Sequence, residues 1–308
     1  MSIQSFIFNK MCSKSDAKRD AGLEISEGIE YIRDIRYGKN RKYHTLDVCW
    51  PNVIENESGH KTIDSSADKL PVIISIHGGG YVYGSKELYQ FYAASLARAG
   101  FTVINFDYRL APKYHFPAPL EDLNLVLKWM MANKDDYPID TGNVFLVGDS
   151  AGAQLASQYG VIYSNKEYRK IMGFRKPKIS IRAIGLCCGL YDLKKDIEEN
   201  GCKGLMKDYL TSDPFKFGEK LDILEHLDKN FPPVYIFSSK GDFLLKNCKP
   251  MADYLRKAGV ECECEIFGTE KTGHVFHVNM RDEFGSEANR KQLEFFKKHI
   301  RISSALNT

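Results

Sequence analysis

The sequence predicts an α/β fold: a mainly parallel sheet flanked by helices, opened by an antiparallel hairpin and topped by a small helical cap. Three observations predict it. Short, almost unbroken apolar runs recur along the chain, as at residues 71–76 and 144–147, which is how strands covered on both faces read. Amphipathic stretches of helical period alternate with those runs, which implies right-handed crossovers between parallel strands. With 308 residues the chain can bury the core that such a sheet needs.

The elements follow in order. Residues 1–28 are polar and weakly periodic, and read as a lead-in helix or a mobile flap rather than core. Residues 31–37 and 43–50 alternate at period two, and Gly38-Lys39-Asn40 turns the chain between them, so they form the hairpin. Residues 51–69, rich in Ser, Asp, Asn and Glu, read as a loop. Strands are expected at 71–76, 101–106, 144–147, 180–186, 233–238 and 260–267, and helices at 86–99, 122–131, 151–163, 250–258 and 286–298. Residues 190–230 break the rhythm with Gly201, Gly204, Pro214 and Gly218 among short helical pieces. Residues 1–28 therefore stand apart from one larger domain (29–308), whose rhythm is interrupted at 190–230.

Composition removes several classes of function. The chain is 43% hydrophobic and 27% charged, which fits neither disorder nor a fibrous repeat. Lys and Arg number 43 against 40 Asp and Glu; the resulting +3 is scattered and gives no nucleic-acid surface. No apolar run approaches the roughly 18 residues of a spanning helix, and the run at residues 6–8 is too short for an export signal, so a cytoplasmic protein without membrane association is expected. Eight cysteines show no CxxC pair. Cys262 and Cys264 should share one face of a strand, but no second ligand pair of zinc spacing accompanies them, so reduced, buried thiols and no metal are expected. The strand at 260–267 is a candidate edge for pairing in a homodimer, opposed by its alternating Glu261, Glu263 and Glu265.

In a parallel sheet, chemistry is expected beyond the C-terminal ends of the strands. Gly148-Asp149-Ser150-Ala151-Gly152 stands there, between the strand at 144–147 and the helix at 151–163. A GxSxG at a strand–turn–helix junction makes a nucleophile elbow. The glycines two residues either side leave room for the tight turn, and the helix N-terminus favours negative charge near Ser150. His77-Gly78-Gly79-Gly80 follows the strand at 71–76. It lacks the Gly-Lys-Ser/Thr ending of a phosphate loop, and its glycines can turn N–H groups toward a ligand. Gly78 and Gly79, with Ala151, are thus expected to donate to an oxyanion. His77 should hold the loop.

A base and an acid are needed after the serine, in the order serine, acid, histidine. His274 lies in a loop after the last strand, and Gly273 before it suits a sharp turn; His277 is its rival, while His226 and His299 read as surface residues. Asp242 directly follows the strand at 233–238, with Asp192 ranked second and Asp253 on a helix. A carboxylate at 242 would fix the imidazole tautomer and stabilise the imidazolium. Tyr81, just past the glycines, is expected to shape the acyl pocket as a substrate-binding residue.

HGGG at 77–80, GDSAG at 148–152, Gly241-Asp242, His274-Val275-Phe276, and the tracts DYRLAP at 107–112 and FPAPLED at 116–122 together resemble the hormone-sensitive-lipase-like branch of the α/β-hydrolase superfamily. The resemblance runs from about residue 29 to the C-terminal helix. It implies the α/β-hydrolase fold, a catalytic domain over 29–308 capped by residues 1–28 and an insertion at 190–230, carboxylesterase activity on small or short-acyl esters through an acyl-Ser150 intermediate, and no metal or organic cofactor. It leaves an amidase, formamidase or peptidase with the same triad, or a ligand-binding protein on the same scaffold, as alternatives. The 107–122 tracts read as structural, with Arg109 ion-paired to nearby acids. The paired Cys187-Cys188 departs from the family pattern and leaves the pocket wall there open.

Overall fold

A computed structural model describes residues 2–25, 27–56, 59–64 and 68–302. Its centre is an eight-stranded sheet in the order β1-β2-β6-β5-β7-β8-β9-β10. The hairpin comprises β1 (Ile29–Arg36) and β2 (Thr45–Pro51), antiparallel to each other, and β2 runs antiparallel to β6 (Thr102–Phe106). From β6 onward, β5 (Leu70–Ile76), β7 (Ile139–Asp149), β8 (Ile181–Cys187), β9 (Val234–Ser239) and β10 (Cys262–Phe267) are all parallel. The expected loop at 51–69 contains a separate two-stranded hairpin, β3 (Val53–Asn56) and β4 (Gly59–Thr62). Of that loop, residues 57–58 and 65–67 lie outside the described residues.

The apolar runs explain the layering. Side chains alternate across the pleat, so Val72, Ile74, Val144, Leu146, Ile184, Val234 and Ile236 enter one core. Ile73, Phe145, Val147, Ala183, Tyr235 and Phe237 enter the other. The first core is covered by α3 (Ala118–Ala132), α4 (Ala151–Ser164), α5 (Lys166–Met172) and α8 (Cys248–Lys257). The second is covered by α2 (Gln90–Arg98) and α9 (Glu283–Lys298). Cys262 and Cys264 do share a face, packed toward the first core. At the β10 edge, Glu263 pairs with Lys298 at 3.3 Å, and Glu265 pairs with Lys291, so α9 holds these glutamates.

The chain order reverses about β5: β6 lies on one side of it and β7 on the other. A crevice opens outside the C-terminal ends of strands at such a switch point. Residues 77–80 leave β5 there and Ser150 leaves β7 beside them, with Ile76 registered opposite Gly148.

The N-terminal segment is a helix, α1 (Ile3–Asp20), laid across this end of the sheet. Its first turn is tied to α7 (Gly204–Leu210): Ser5 Oγ and the Ser2 N–H both donate to Asp208, at 2.6 and 2.8 Å. Between β8 and α7 lies α6 (Leu193–Asn200), capped by Asp192, whose carboxylate accepts from the Lys195 N–H at 3.0 Å. The insertion is thus made of short helices, as its broken periodicity implied. Arg109 is ion-paired with Asp122 and Glu121, at 2.8 and 2.7 Å, which ties down residues 107–122. No helix among the described residues is long and apolar enough to cross a membrane.

Candidate active site

Ser150 occupies a left-handed backbone position, φ 51° and ψ −117°, between β7 and α4. A non-glycine residue held there stores strain on the order of 1–3 kcal/mol. Three features hold it. Its N–H donates to Cys187 O at 2.9 Å, tying the turn to β8. A Cβ at Gly148 would stand 2.3 Å from Gly152 O, and one at Gly152 only 2.0 Å from Ile76 O. Both glycines are therefore required by backbone approach, as the sequence implied.

Beneath the serine, Asp149 is buried and accepts from Tyr89 Oη at 2.8 Å. Burial pushes its carboxyl up to about 7, although the tyrosine hydrogen bond opposes this. Tyr89 Oη in turn accepts the Gly78 N–H at 2.9 Å. This corrects one expectation: the Gly78 N–H is turned into the protein toward Tyr89, so it is not free for a ligand. A Cβ at Gly78 would lie 2.3 Å from Asp149 Oδ2, so this glycine is needed for packing. Gly79 and Gly80, both at positive φ, border the cavity described below. Among the described residues, their N–H groups and that of Ala151 donate to no protein acceptor.

His77 is fully buried, stacked 4.0 Å from the Tyr108 ring, with Nδ1 2.8 Å from Gly78 O. Burial lowers its pKa to about 4. It braces the loop as a neutral ring.

Asp242 follows β9, and His274 lies in the loop after β10. His274 Nδ1 is 2.7 Å from Asp242 Oδ1. Ser238 Oγ donates to Asp242 Oδ2 at 2.6 Å and the Leu244 N–H to Oδ1 at 2.9 Å. Burial favours the neutral acid, but these hydrogen bonds outweigh it and hold the Asp242 pKa below its ordinary value. Burial would likewise push His274 down; its contacts with Asp242 and the Cys188 thiol prevail and raise it. Oδ1 thus meets Nδ1, which leaves Nε2 as the free ring nitrogen.

The rival groups fall elsewhere. His277 is buried behind the loop, edge-on to Tyr92, with Nδ1 3.3 Å from Cys187 Sγ; burial lowers its pKa to about 3. Asp192 caps α6, and Asp253 faces Arg256 at 3.4 Å. The sharp conformation of the histidine loop is not at Gly273, where a Cβ would meet open space, but at Val275, φ 58°.

Ser150, Ala151, His274 and the glycine loop line one cavity of about 650 Å³, within the usual size of a small-molecule site. Much of its wall is not legible in the sequence. Phe8 of α1 and Leu205 and Met206 of α7 form its roof, and a Cβ at Gly80 would lie 2.4 Å from Leu205 Cδ2. Phe243, 70% exposed, stands with its ring 4.3 Å from the His274 imidazole. An exposed aromatic directly after Asp242 was the available signal. Tyr81 borders the cavity, but its ring stacks 3.8 Å from Tyr209 and its Oη donates to Gln154 Oε1 at 3.2 Å. It holds α7 against the glycine loop.

A doubly covered parallel sheet, a strained serine at its switch point and an aspartate–histidine pair beside the same cavity define a protein of the α/β-hydrolase class. Residues 73–278 match the family model described as alpha/beta hydrolase fold, and the chain belongs to that family. The likeness read from HGGG and GDSAG to its hormone-sensitive-lipase-like branch holds. Among similar proteins, the acetyl esterase of Salmonella schwarzengrund (strain CVM19633) is 26% identical over 241 residues, 73% of this chain and 71% of that one. Arylacetamide deacetylase of Bos taurus is 44% identical over 87 residues, 27% of this chain and 22% of that protein. Esterase B from Lactobacillus rhamnosis shares the fold with a TM-score of 0.82 at 21% identity, covering 96% of this chain and 93% of that one.

Proposed function

We propose that the protein is a serine carboxylesterase acting on small, short-acyl esters through an acyl-Ser150 intermediate. The Asp242–His274 pair, opening into the cavity that Ser150 lines, is the observation that carries this reading. Ser150 Oγ attacks the ester carbonyl while His274 Nε2 takes its proton, and Asp242 stabilises the resulting imidazolium. The oxyanion accepts hydrogen bonds from the N–H groups of Gly79, Gly80 and Ala151; one such donor is typically worth about 2.7–4 kcal/mol of barrier. As the tetrahedral intermediate collapses, His274 returns the proton to the leaving alkoxide. Water then gives a proton to His274 and its oxygen to the acyl carbon, and His274 passes that proton to Ser150 Oγ as the second tetrahedral intermediate collapses, releasing the acid and free Ser150.

The acyl preference rests on the roof. Leu205 stands close over Gly80, and α1 with residues 190–230 serves as the cap, which supports a small acyl group beside the glycine loop. The likeness to an acetyl esterase supports the same size class. A second reading, cleavage of aryl amides, is favoured by the segment 44% identical to arylacetamide deacetylase. Measuring kcat/KM on p-nitrophenyl acetate, butyrate, octanoate and palmitate and on an aryl acetamide separates them. The expected order is acetate or butyrate first, with octanoate lower by about tenfold or more, equivalent to about 1.4 kcal/mol. A maximum at palmitate contradicts the proposed size class, and a larger value for the amide favours the second reading.

A further inference from the structure

We propose that Cys188, Asp242 and His274 form a binding site for a borderline-soft divalent cation, zinc foremost, and that its occupation switches the hydrolase off. The inhibitory half rests on the reading of His274 as the base; the binding half rests on geometry alone.

The site comes from the two cysteines at the end of β8. Cys187 Sγ lies 3.3 Å from His277 Nδ1 and 3.4 Å from Cys188 Sγ, to which it donates. Cys188 has a left-handed backbone, φ 51°, and its N–H donates to Phe237 O at 3.0 Å. Its Sγ lies 3.7 Å from Ser238 Oγ, the hydroxyl that donates to Asp242. One ligand atom from each of Cys188, Asp242 and His274 lies within 4.8 Å of the other two, the one such group among the described residues. Zinc bonds of about 2.0–2.3 Å in tetrahedral array place their ligands roughly 3.3–3.8 Å apart, so a separation at the outer bound contracts by about 1–1.5 Å while the 2.7 Å contact of His274 with Asp242 opens.

The donor types suit zinc. Thiolate, imidazole and carboxylate match its borderline softness better than that of magnesium or calcium. Thiolate and carboxylate together neutralise a dication, which reduces the cost of holding charge where Cys188 is 1% exposed and the Asp242 side chain is buried. Of the three, His274 borders the cavity, which gives an approach from that side. On binding, the Cys188 thiol releases its proton to buffer, a sulfur–metal bond forms, and a His274 nitrogen donates its lone pair. If Nδ1 binds, its proton moves to Nε2 and the hydrogen bond to Asp242 is given up; if Nε2 binds, its lone pair is taken, so in either case Nε2 can no longer accept the serine proton. Cys248 and Cys264, with sulfurs 3.8 Å apart, have no such third ligand and provide the control.

Cobalt(II), a spectroscopic substitute for zinc, is titrated into the reduced full chain and thiolate-to-cobalt charge transfer is read in the near ultraviolet. The expected result is one band per chain, displaced by zinc, retained in Ser150→Ala and Cys248→Ala, and lost in Cys188→Ser. His274→Ala should weaken binding by at least about tenfold. In parallel, zinc should inhibit p-nitrophenyl acetate hydrolysis reversibly to EDTA. Cys188→Ser, scored against its own metal-free rate, should need at least about tenfold more zinc for the same inhibition. Circular dichroism checks each fold, with Cys188→Ala replacing a serine variant that does not fold. No band in the wild type, or a band that survives loss of Cys188, overturns the site. A band without inhibition overturns the switch. Hydrolysis that survives in Ser150→Ala overturns the esterase mechanism, while the cobalt band still reports on the site.

Discussion

His274 Nδ1 lies 2.7 Å from Asp242 Oδ1, and the same carboxylate is fixed by Ser238 and the Leu244 N–H. One ring nitrogen is thereby assigned to the acid and the other is free. His277, three residues on, faces Cys187 instead. His274→Ala should therefore lower kcat by several orders of magnitude, about 10⁴ or more, while the protein stays folded. His277→Ala should leave the rate per folded molecule nearly unchanged and lower Tm, because it opens a hole beside Tyr92 and Phe237. Paired kinetics and thermal melts of the two variants check this.

Asp242→Asn preserves the shape of the side chain but removes the charge that orients the imidazole and stabilises its protonated form. A fall in kcat of about 10⁴ is expected. Asp192→Ala should cost about 1 kcal/mol of stability through the lost α6 cap, with kcat unchanged. Steady-state kinetics with denaturant melts separate the two outcomes. Equal kinetic losses would mean that the acid is misassigned.

The pH dependence follows from the groups facing His274. Burial lowers its pKa, but Asp242 and Cys188 raise it further, so it lies above the ordinary 6.5; Asp149 is also close enough to interact. A base must be neutral to accept a proton, so kcat/KM should rise with pH through an inflection above 6.5. Cys188→Ala removes one of the raising contributions while Asp242 remains, so the inflection should move down. A pH profile of both proteins that shows the same inflection contradicts this coupling.

Much of this arrangement was legible in the sequence, for local reasons. The apolar runs at 71–76 and 144–147 declared doubly covered strands, and a GxSxG after one of them could only be a tight turn. Asp242 and His274 were legible because each follows a strand end on the same side of the sheet. What failed depended on contacts distant in sequence. Gly78 faces Tyr89, eleven residues on, through a hydrogen bond that no spacing announces. Cys188 reaches the Asp242–His274 pair because β8 and β9 are neighbours in register. The β3–β4 hairpin was hidden because its polar sequence lacks the alternation by which buried strands are recognised.

Glycine substitutions test the turn geometry directly. Gly152→Ala would bring Cβ within 2.0 Å of a backbone oxygen, which side-chain motion does not relieve. It should lower Tm sharply or prevent folding. Gly273→Ala, next to His274 but in open space, should alter stability by no more than about 0.5 kcal/mol. Thermal melts read both, and a tolerated Gly152→Ala contradicts the close approach of α4 to β5.

Ser150 is proposed to form the covalent intermediate. Labelling the native protein with a fluorophosphonate, followed by intact-mass measurement and peptide mapping, tests it most directly. One adduct on Ser150 is predicted, with no adduct and no ester hydrolysis in Ser150→Ala. An adduct on another residue, or hydrolysis that persists in Ser150→Ala, would contradict it.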